Sequence, residues 1–357
     1  MFLYLIIFIF IILELIFKID FKILLKLPYK ALISLSVFMI ISNGIYYSNY
    51  PKKILYFLFK NIEKFSIFKF LIIYSGFIFL LAFFLTNDIA LFVALPFVKY
   101  LNFQKDILKN LGFSFIWSAN IGACASPIGS PQNIFIWSYL NVGFFKFCLY
   151  LFPLFLSMLL SFLIFLFSFQ KNFSKYHKID VSRYKNIYLN LKLFKLSSFL
   201  LFLNIVSFET NFFYLTSLFT FIIYLTLYPN LIKKFDYKFI LLFIFLSLDI
   251  NIIQKIPGIK NLILKFKNPY FESAFLSQII SNFPSCILIT NITHKPLESL
   301  YGANVACNGM LHASIANLIG INILRLNKKE FMKKSMIAFF LSLLFGYLAL
   351  KVLKIFY

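Results

Sequence analysis

The sequence predicts an all-α polytopic membrane protein, and three observations carry that prediction. Of its 357 residues, 61% are hydrophobic, against about half in a water-soluble fold. Apolar runs of the roughly 20 residues a bilayer crossing needs recur from one end to the other. Several of these runs are interrupted in their middle by proline, glycine and amide residues, which a plain membrane span has no use for.

In chain order the apolar runs are 2–17, 31–48, 53–68, 70–101, 110–145, 147–169, 196–229, 238–253, 270–293, 299–324 and 335–355. They amount to roughly 10–11 membrane segments. The first, "FLYLIIFIFIILELIF", has no basic stretch before it and no small-residue cleavage site after it, so it reads as a retained transmembrane helix rather than a signal peptide. The 53–68 run reads as one span, and 196–229 as a single run or two helices turning near Glu209 and Asn211. Net charge is +23, from 35 Lys and Arg against 12 Asp and Glu. The basic residues fall in short loops between apolar runs, which suits membrane lipid headgroups and the fixing of topology. There is no basic face interleaved with aromatics, so no nucleic acid partner is expected. The most polar stretch, 170–195, holds Lys171, Lys175, Lys178, Arg183, Lys185, Lys192 and Lys195 against one Asp180. The positive-inside rule makes it a cytoplasmic linker. It divides the chain into a first half, 1–169, and a second, 196–357. His177 within it reads as solvated. Cys124, Cys148, Cys286 and Cys307 lie in apolar runs without a CxxC pair, so they read as packing residues, with no disulfide framework and no structural metal.

The interruptions are "LTNDIA" in 70–101, "SPIGSPQN" in 110–145 and "ISNFPS" in 270–293, each a hairpin or a discontinuous helix. The halves echo each other. "NIGACASPIGSPQN" (120–133) aligns with "NVACNGMLHASIAN" (304–317), with Asn at both ends and Ser130 opposite Ser314. Thr86-Asn87 aligns with Ser281-Asn282. Matched interruptions in two halves mark secondary transporters, because irregular backbone survives at membrane depth only if it is buried in protein or lines a wet cavity. Pro127, Gly129 and Pro131 stop a helix. The freed backbone, with Ser126, Ser130, Gln132 and Asn133, then becomes available as ligand. Pro131 suits the first position of the next half-helix, whose N-terminus would face an anion.

At these residues the sequence resembles the ion transporter superfamily: arsenite permeases, citrate and divalent-anion symporters, other anion permeases and certain sodium/proton antiporters. "LTNDIALFVALPF" resembles its first hairpin tip, and "ASPIGSPQNIFI" the segment written T-P-I-G-x-P-x-N. "ISNFPSCILI" resembles the second tip, and "YGANVACNGMLHASIANLIGI" the second broken helix. The resemblance implies two inverted repeats, each with a re-entrant hairpin (about 70–101 and 270–293) and a broken helix (about 110–145 and 299–324), and elevator-type alternating access. It implies a ligand held between tips and unwound segments. Thr86, Asn87, Asp88, Ser126, Gly129, Ser130, Gln132, Asn133, Ser281, Asn282, Asn304, Asn308, Ser314 and Asn317 are then the candidate substrate and ion ligands. A sodium ion would sit at Asn87, Asp88 and Asn282. Neither tip has the Ser-Asn-Thr of sodium-coupled symporters, which favours the arsenite-permease-like or anion-permease branch.

Asp88 has no basic residue near it in sequence. A lone carboxylate in hydrocarbon costs about 2.5–3.5 kcal/mol or more, so it faces a wet cavity or carries a proton. The competing reading makes it the N-cap of the following half-helix. Asn87 and Asn282 could donate to an anion or serve only as interhelical glue. Asp249 is an interior acid or an interfacial one. His312 is a proton relay or a packed residue, and His294 a loop residue. No P-loop GxxxxGK[ST] occurs, so ATP is not used in cis. No catalytic set such as HExxH occurs, so an enzyme is not expected. The expected function is a multi-pass inner-membrane permease for a small anion or oxyacid, coupled to a proton or sodium gradient. No cofactor is expected. A sodium/proton antiporter is the alternative, with a channel or a membrane-embedded enzyme behind it. A homodimer, or a separate ATPase subunit, is compatible with the sequence.

Overall fold

The computed structural model describes residues 27–60, 64–101, 103–168, 176–178, 181–253, 256, 258 and 268–356. The expected span 2–17 and residues 170–175 of the linker lie outside the described residues. Helix α1 (Tyr29–Tyr47) and α2 (Tyr50–Phe59) lead to a short strand, β1 (Lys64–Ser66). An α-hairpin follows, α3 (Ile67–Phe84) and α4 (Asn87–Tyr100). Next come a broken pair, α5 (Lys105–Cys124) and α6 (Pro131–Leu140), and the long α7 (Phe144–Ser168). Strand β2 (Tyr176–Lys178) pairs antiparallel with β1. After it come α8 (Leu191–Ser207), α9 (Phe212–Leu227), α10 (Pro229–Lys233) and α11 (Tyr237–Ile253). The same succession then recurs: a hairpin of α12 (Pro269–Ile280) and α13 (Asn282–Thr293), a broken pair of α14 (Pro296–Ala306) and α15 (Ile315–Leu324), and the long α16 (Lys328–Phe356).

Helices α1, α3, α7 and α16 are long and apolar enough to cross a bilayer unaided. The hairpin returns α4 and α13 and the half-helices α6, α14 and α15 are shorter because their sequences stop them. Leu85 and Thr86 adopt extended backbone between α3 and α4. Pro127 cannot continue α5, and Pro131 occupies the first turn of α6. Pro96, inside α4, does not end that helix. The expected single span at 53–68 is corrected. The run carries Lys60, Glu63 and Lys64 in sequence, and α2 is ten residues long, too short to span. It buries Pro51, Leu55 and Phe59 at four-residue spacing while Ile54, Phe57 and Leu58 stay exposed, the pattern of a helix lying at the interface. The 196–229 run is two helices, α8 and α9, as its alternative reading allowed.

Each hairpin's first arm packs on the first arm of the broken pair that follows it, α3 on α5 and α12 on α14. Glycine permits the approach: a Cβ on Gly122 would run into the Phe79 backbone, and one on Gly302 into the Tyr270 carbonyl. The halves interlock beyond this. The second arm of each hairpin packs on the second arm of the other half's broken pair, α4 on α15 and α13 on α6, while α7 lies along α16. Helix α1 packs on α8, α9 and α11. Outward faces are apolar, as a lipid contact requires: α7 exposes Phe145, Leu149, Phe152, Leu156 and Leu160, and α9 exposes Leu215, Leu218, Ile222 and Leu225.

Candidate functional site

The chain stops four helices, and four new ones begin around one cavity. Asn87 and Asp88 open α4, Pro131 opens α6, Asn282 and Phe283 open α13, and Ile315 opens α15 after Ser314. Residues from all four starts line one cavity of about 470 Å³. The opposite wall comes from the first half of α11, through Phe239, Leu242, Phe243 and Leu246. A second cavity of about 450 Å³ adjoins it, reaching Tyr46 and Tyr47 at the end of α1, and shares Asp88, Pro131 and Asp236 with the first. The positive ends of four helix dipoles thus border a largely apolar space.

Among the expected ligands, Asn87, Asp88, Ser281, Asn282 and Ser314 line the first cavity and Thr86 the second. Thr86 holds the N-cap position of α4 and Asp88 is already inside the helix, so the N-cap reading of Asp88 is corrected. One carboxylate oxygen of Asp88 is buried without a hydrogen-bond partner among the described residues. The side-chain carbonyls of Asn87 and Asn282 accept from the next backbone N–H, that of Asp88 (3.0 Å) and that of Phe283 (2.8 Å). Both tips thus leave their amide nitrogens free for other partners: Asn87 donates to Asn120 at 3.4 Å, and Asn282 to the Cys307 sulfur at 2.9 Å.

The remaining expected ligands form a closed layer behind the cavity. Asn133 donates to the carbonyls of Ala123 (3.0 Å) and Ser126 (2.7 Å), and Asn317 to those of Cys307 (2.8 Å) and Met310 (3.1 Å). In both halves the acceptors lie ten and seven residues upstream. Each amide thus adds a hydrogen bond to two carbonyls of its own helix break, which also accept from local backbone N–H groups or from Asn120. The amides also cross between halves: Asn120 donates to Asn317 at 3.3 Å, and Asn304 to Asn133 at 2.9 Å. Gln132 donates to Asn304 at 3.0 Å, and Asn308 accepts from Asn120 at 3.4 Å. Within this layer the oxygens of Ser130 and Gln132 are buried and without a partner among the described residues. Gly129 serves by its backbone, since its carbonyl accepts from the Asn87 N–H at 2.9 Å and tethers the first tip to the first break.

Sequence reasoning missed the scaffold's contribution. Asp236 and Lys238, at the start of α11, line the first cavity, and Lys234 lines the second. They look like ordinary loop charges; only their place beside an interrupted half could have raised them. His312 also lines the first cavity, its Nε2 hydrogen-bonded to the Gln278 carbonyl. Asp249 lies on α11 and is buried, 5% exposed, but is not among the residues lining either cavity.

The chain matches the citrate transporter family, CitMHS, over residues 1–320. It belongs to that family. Among relatives, it is 36% identical over 248 residues to the uncharacterized transporter MJ0456 of Methanocaldococcus jannaschii, covering 67% of this chain and 66% of that one. It is 28% identical over 252 residues to the inner membrane protein YbiR of Escherichia coli, covering 68% and 66%. The alignments span about two thirds of each of these relatives. Membership places the chain among polytopic membrane proteins of a transporter family, and the family is defined by transport rather than by catalysis.

Proposed function

We propose that the protein is a secondary active permease of the inner membrane for a small anion or oxyacid, driven by a proton or sodium gradient. The convergence of four half-helix N-termini on one cavity carries this reading. An anion there is attracted by the positive ends of the four helix dipoles and needs no dedicated cationic side chain. Lys234 and Lys238 at the cavity walls add attraction. The family's citrate description is consistent with a carboxylate, but the short tips, Thr86-Asn87-Asp88 and Ser281-Asn282-Phe283, leave other oxyacids equally accommodated.

Asp88 supplies the coupling. It lies in the same cavity as the anion site, and two negative charges at one set of helix ends repel each other. Neutralising Asp88 with a proton, or pairing it with sodium, favours anion binding, and by linkage the anion favours uptake of the cation. The proton is the first choice, since a carboxylate in a largely apolar cavity is most simply neutralised by protonation. In the sodium/proton antiport alternative the same unpartnered oxygen of Asp88 binds the transported cation. For movement, the two hairpins and broken pairs would travel as one block against α1, α8, α9 and α11, in the elevator manner, with 1–169 and 196–357 as inverted repeats and the linker in the cytoplasm. Proteoliposome flux over a panel of small anions, with pH and sodium gradients imposed separately, tests the reading. Flux of no anion under either gradient would sink it.

A further inference from the structure

The cavity does not end where its lining ends. Helices α11 and α13 run side by side beyond it. Along α11, Phe239, Leu242, Phe243 and Leu246 face the cavity, and the next residues on that line, Ser247 and Asn251, face a separate chamber of about 190 Å³. Along α13 the same change occurs: Asn282, Phe283 and Pro284 face the cavity, Ile287 and Asn291 the chamber. The two spaces are therefore successive parts of one groove. Aromatic rings separate them. Phe283 meets Phe243 edge-on, ring centres 4.1 Å apart, and lies 6.3 Å from Phe135, which lines the chamber.

The groove has a direction. The second cavity touches Tyr46 and Tyr47 at the C-terminal end of α1, where the Ser48 carbonyl accepts from Asn190 of the basic linker. The chamber touches Pro28, just before the N-terminal end of α1. The cavity thus lies toward the linker face and the chamber toward the opposite face. Ser247, Asn251, Asn291 and Tyr139 surround this space, polar groups of the kind that a space holding a hydrated polar solute needs, although the Ser247 hydroxyl also donates to the Phe243 carbonyl.

We propose that the chamber is a second solute station, for the same small anion or oxyacid, on the face opposite the linker, and that Phe283 is the septum between the stations. This rests on the transport reading above and adds a site and a gating side chain to it. Phe283 follows Asn282 directly, so the ligand-bearing tip also carries the plug. Any shift of α13 along α11 that brings the tip toward Ser247 and Asn251 withdraws the ring from Phe243.

Thiol accessibility tests this without requiring any transported solute. Asn291→Cys and Ser247→Cys are placed separately in the full chain in sealed vesicles of both orientations. A charged, membrane-impermeant maleimide is the probe, Arg183→Cys marks the linker face, and the unmodified chain with its four cysteines sets the baseline. With Phe283 intact, both chamber cysteines should react from the face opposite the linker and not from the linker face. Adding Phe283→Ala should raise their reaction from the linker face at least about tenfold, since a closed state opens only about 0.1–10% of the time. Phe283→Leu, which keeps bulk, should leave the block in place and controls for misfolding. Reaction from the linker face with Phe283 intact, or no gain with Phe283→Ala while Phe283→Leu and Phe283→Ala both insert normally, overturns the proposal. Normal gating of the chamber with no flux of any anion would instead count against the transport reading alone.

Discussion

The two hairpin tips are built alike and filled differently. Each places an Asn at the start of the returning helix, each bonds that Asn to the following N–H, and each leans on the neighbouring break: Asn87 N–H on the Gly129 carbonyl, Ser281 Oγ on the Ala313 carbonyl. The next residue is Asp88 in the first tip and Phe283 in the second. One tip offers a carboxylate to the open cavities and the other a ring to the seam. The backbone also differs. Thr86 enters its helix in ordinary extended conformation, φ −72°, whereas Ser281 sits at φ 77°, ψ 159°, a region nearly reserved for glycine and costing about 1–3 kcal/mol. A shared frame thus carries two chemistries, and each can be altered without the other.

The largest expected effect comes from erasing the acid. Asp88→Asn should abolish the response of flux to an imposed pH gradient while sparing membrane insertion, and flux down the solute's own gradient should persist. A mutant in proteoliposomes with wild-type coupling would remove Asp88 from the mechanism. Next is the frame itself. Asn133→Ala and Asn317→Ala each remove two buried hydrogen bonds to break carbonyls, carbonyls that keep a second donor, and a net hydrogen bond contributes about 0.5–1.5 kcal/mol. Thermal unfolding in detergent should show losses of similar size in the two variants; a large loss from one and none from the other would mean that the halves are not energetically alike. Gly129→Ala drives a Cβ into the Ala123 backbone and should cost about 1–3 kcal/mol by overpacking. Gly76→Ala, where nothing lies within 4 Å, should gain about 0.5–1 kcal/mol from helix propensity. An effect of similar size is expected at the strained tip: Ser281→Gly should stabilise by about 1 kcal/mol, and Thr86→Gly should not. Equal responses at the two tips would deny the difference in strain.

Much of the frame was legible before the structure. "SPIGSPQN" announces its break because proline and glycine act locally, and the pairing of Thr86-Asn87 with Ser281-Asn282 needs only alignment. The division of labour among the amides was not legible. Asn87 and Asn133 are the same residue type in the same kind of motif, yet one faces the cavity and the other closes a helix end. That depends on which carbonyls the folded break brings within reach, a three-dimensional fact. Asp236 and Lys238 were hidden for another reason: they border an uninterrupted span, and no local signal says that its first turns will face a cavity. The 53–68 run misled because mean hydropathy outweighs the charges it carries.

The crossed amide pairs, Asn120 with Asn317 and Asn304 with Asn133, join two distant stretches of chain at buried positions. Slippage between those stretches would break both pairs at once. The face of α11 that meets the second tip, built from Phe239, Leu242, Phe243 and Leu246, has no such bonds to forfeit, and its hold depends on what acyl chains offer in exchange. Bilayer thickness and fluidity should therefore govern the speed of any rearrangement more than ionic strength does.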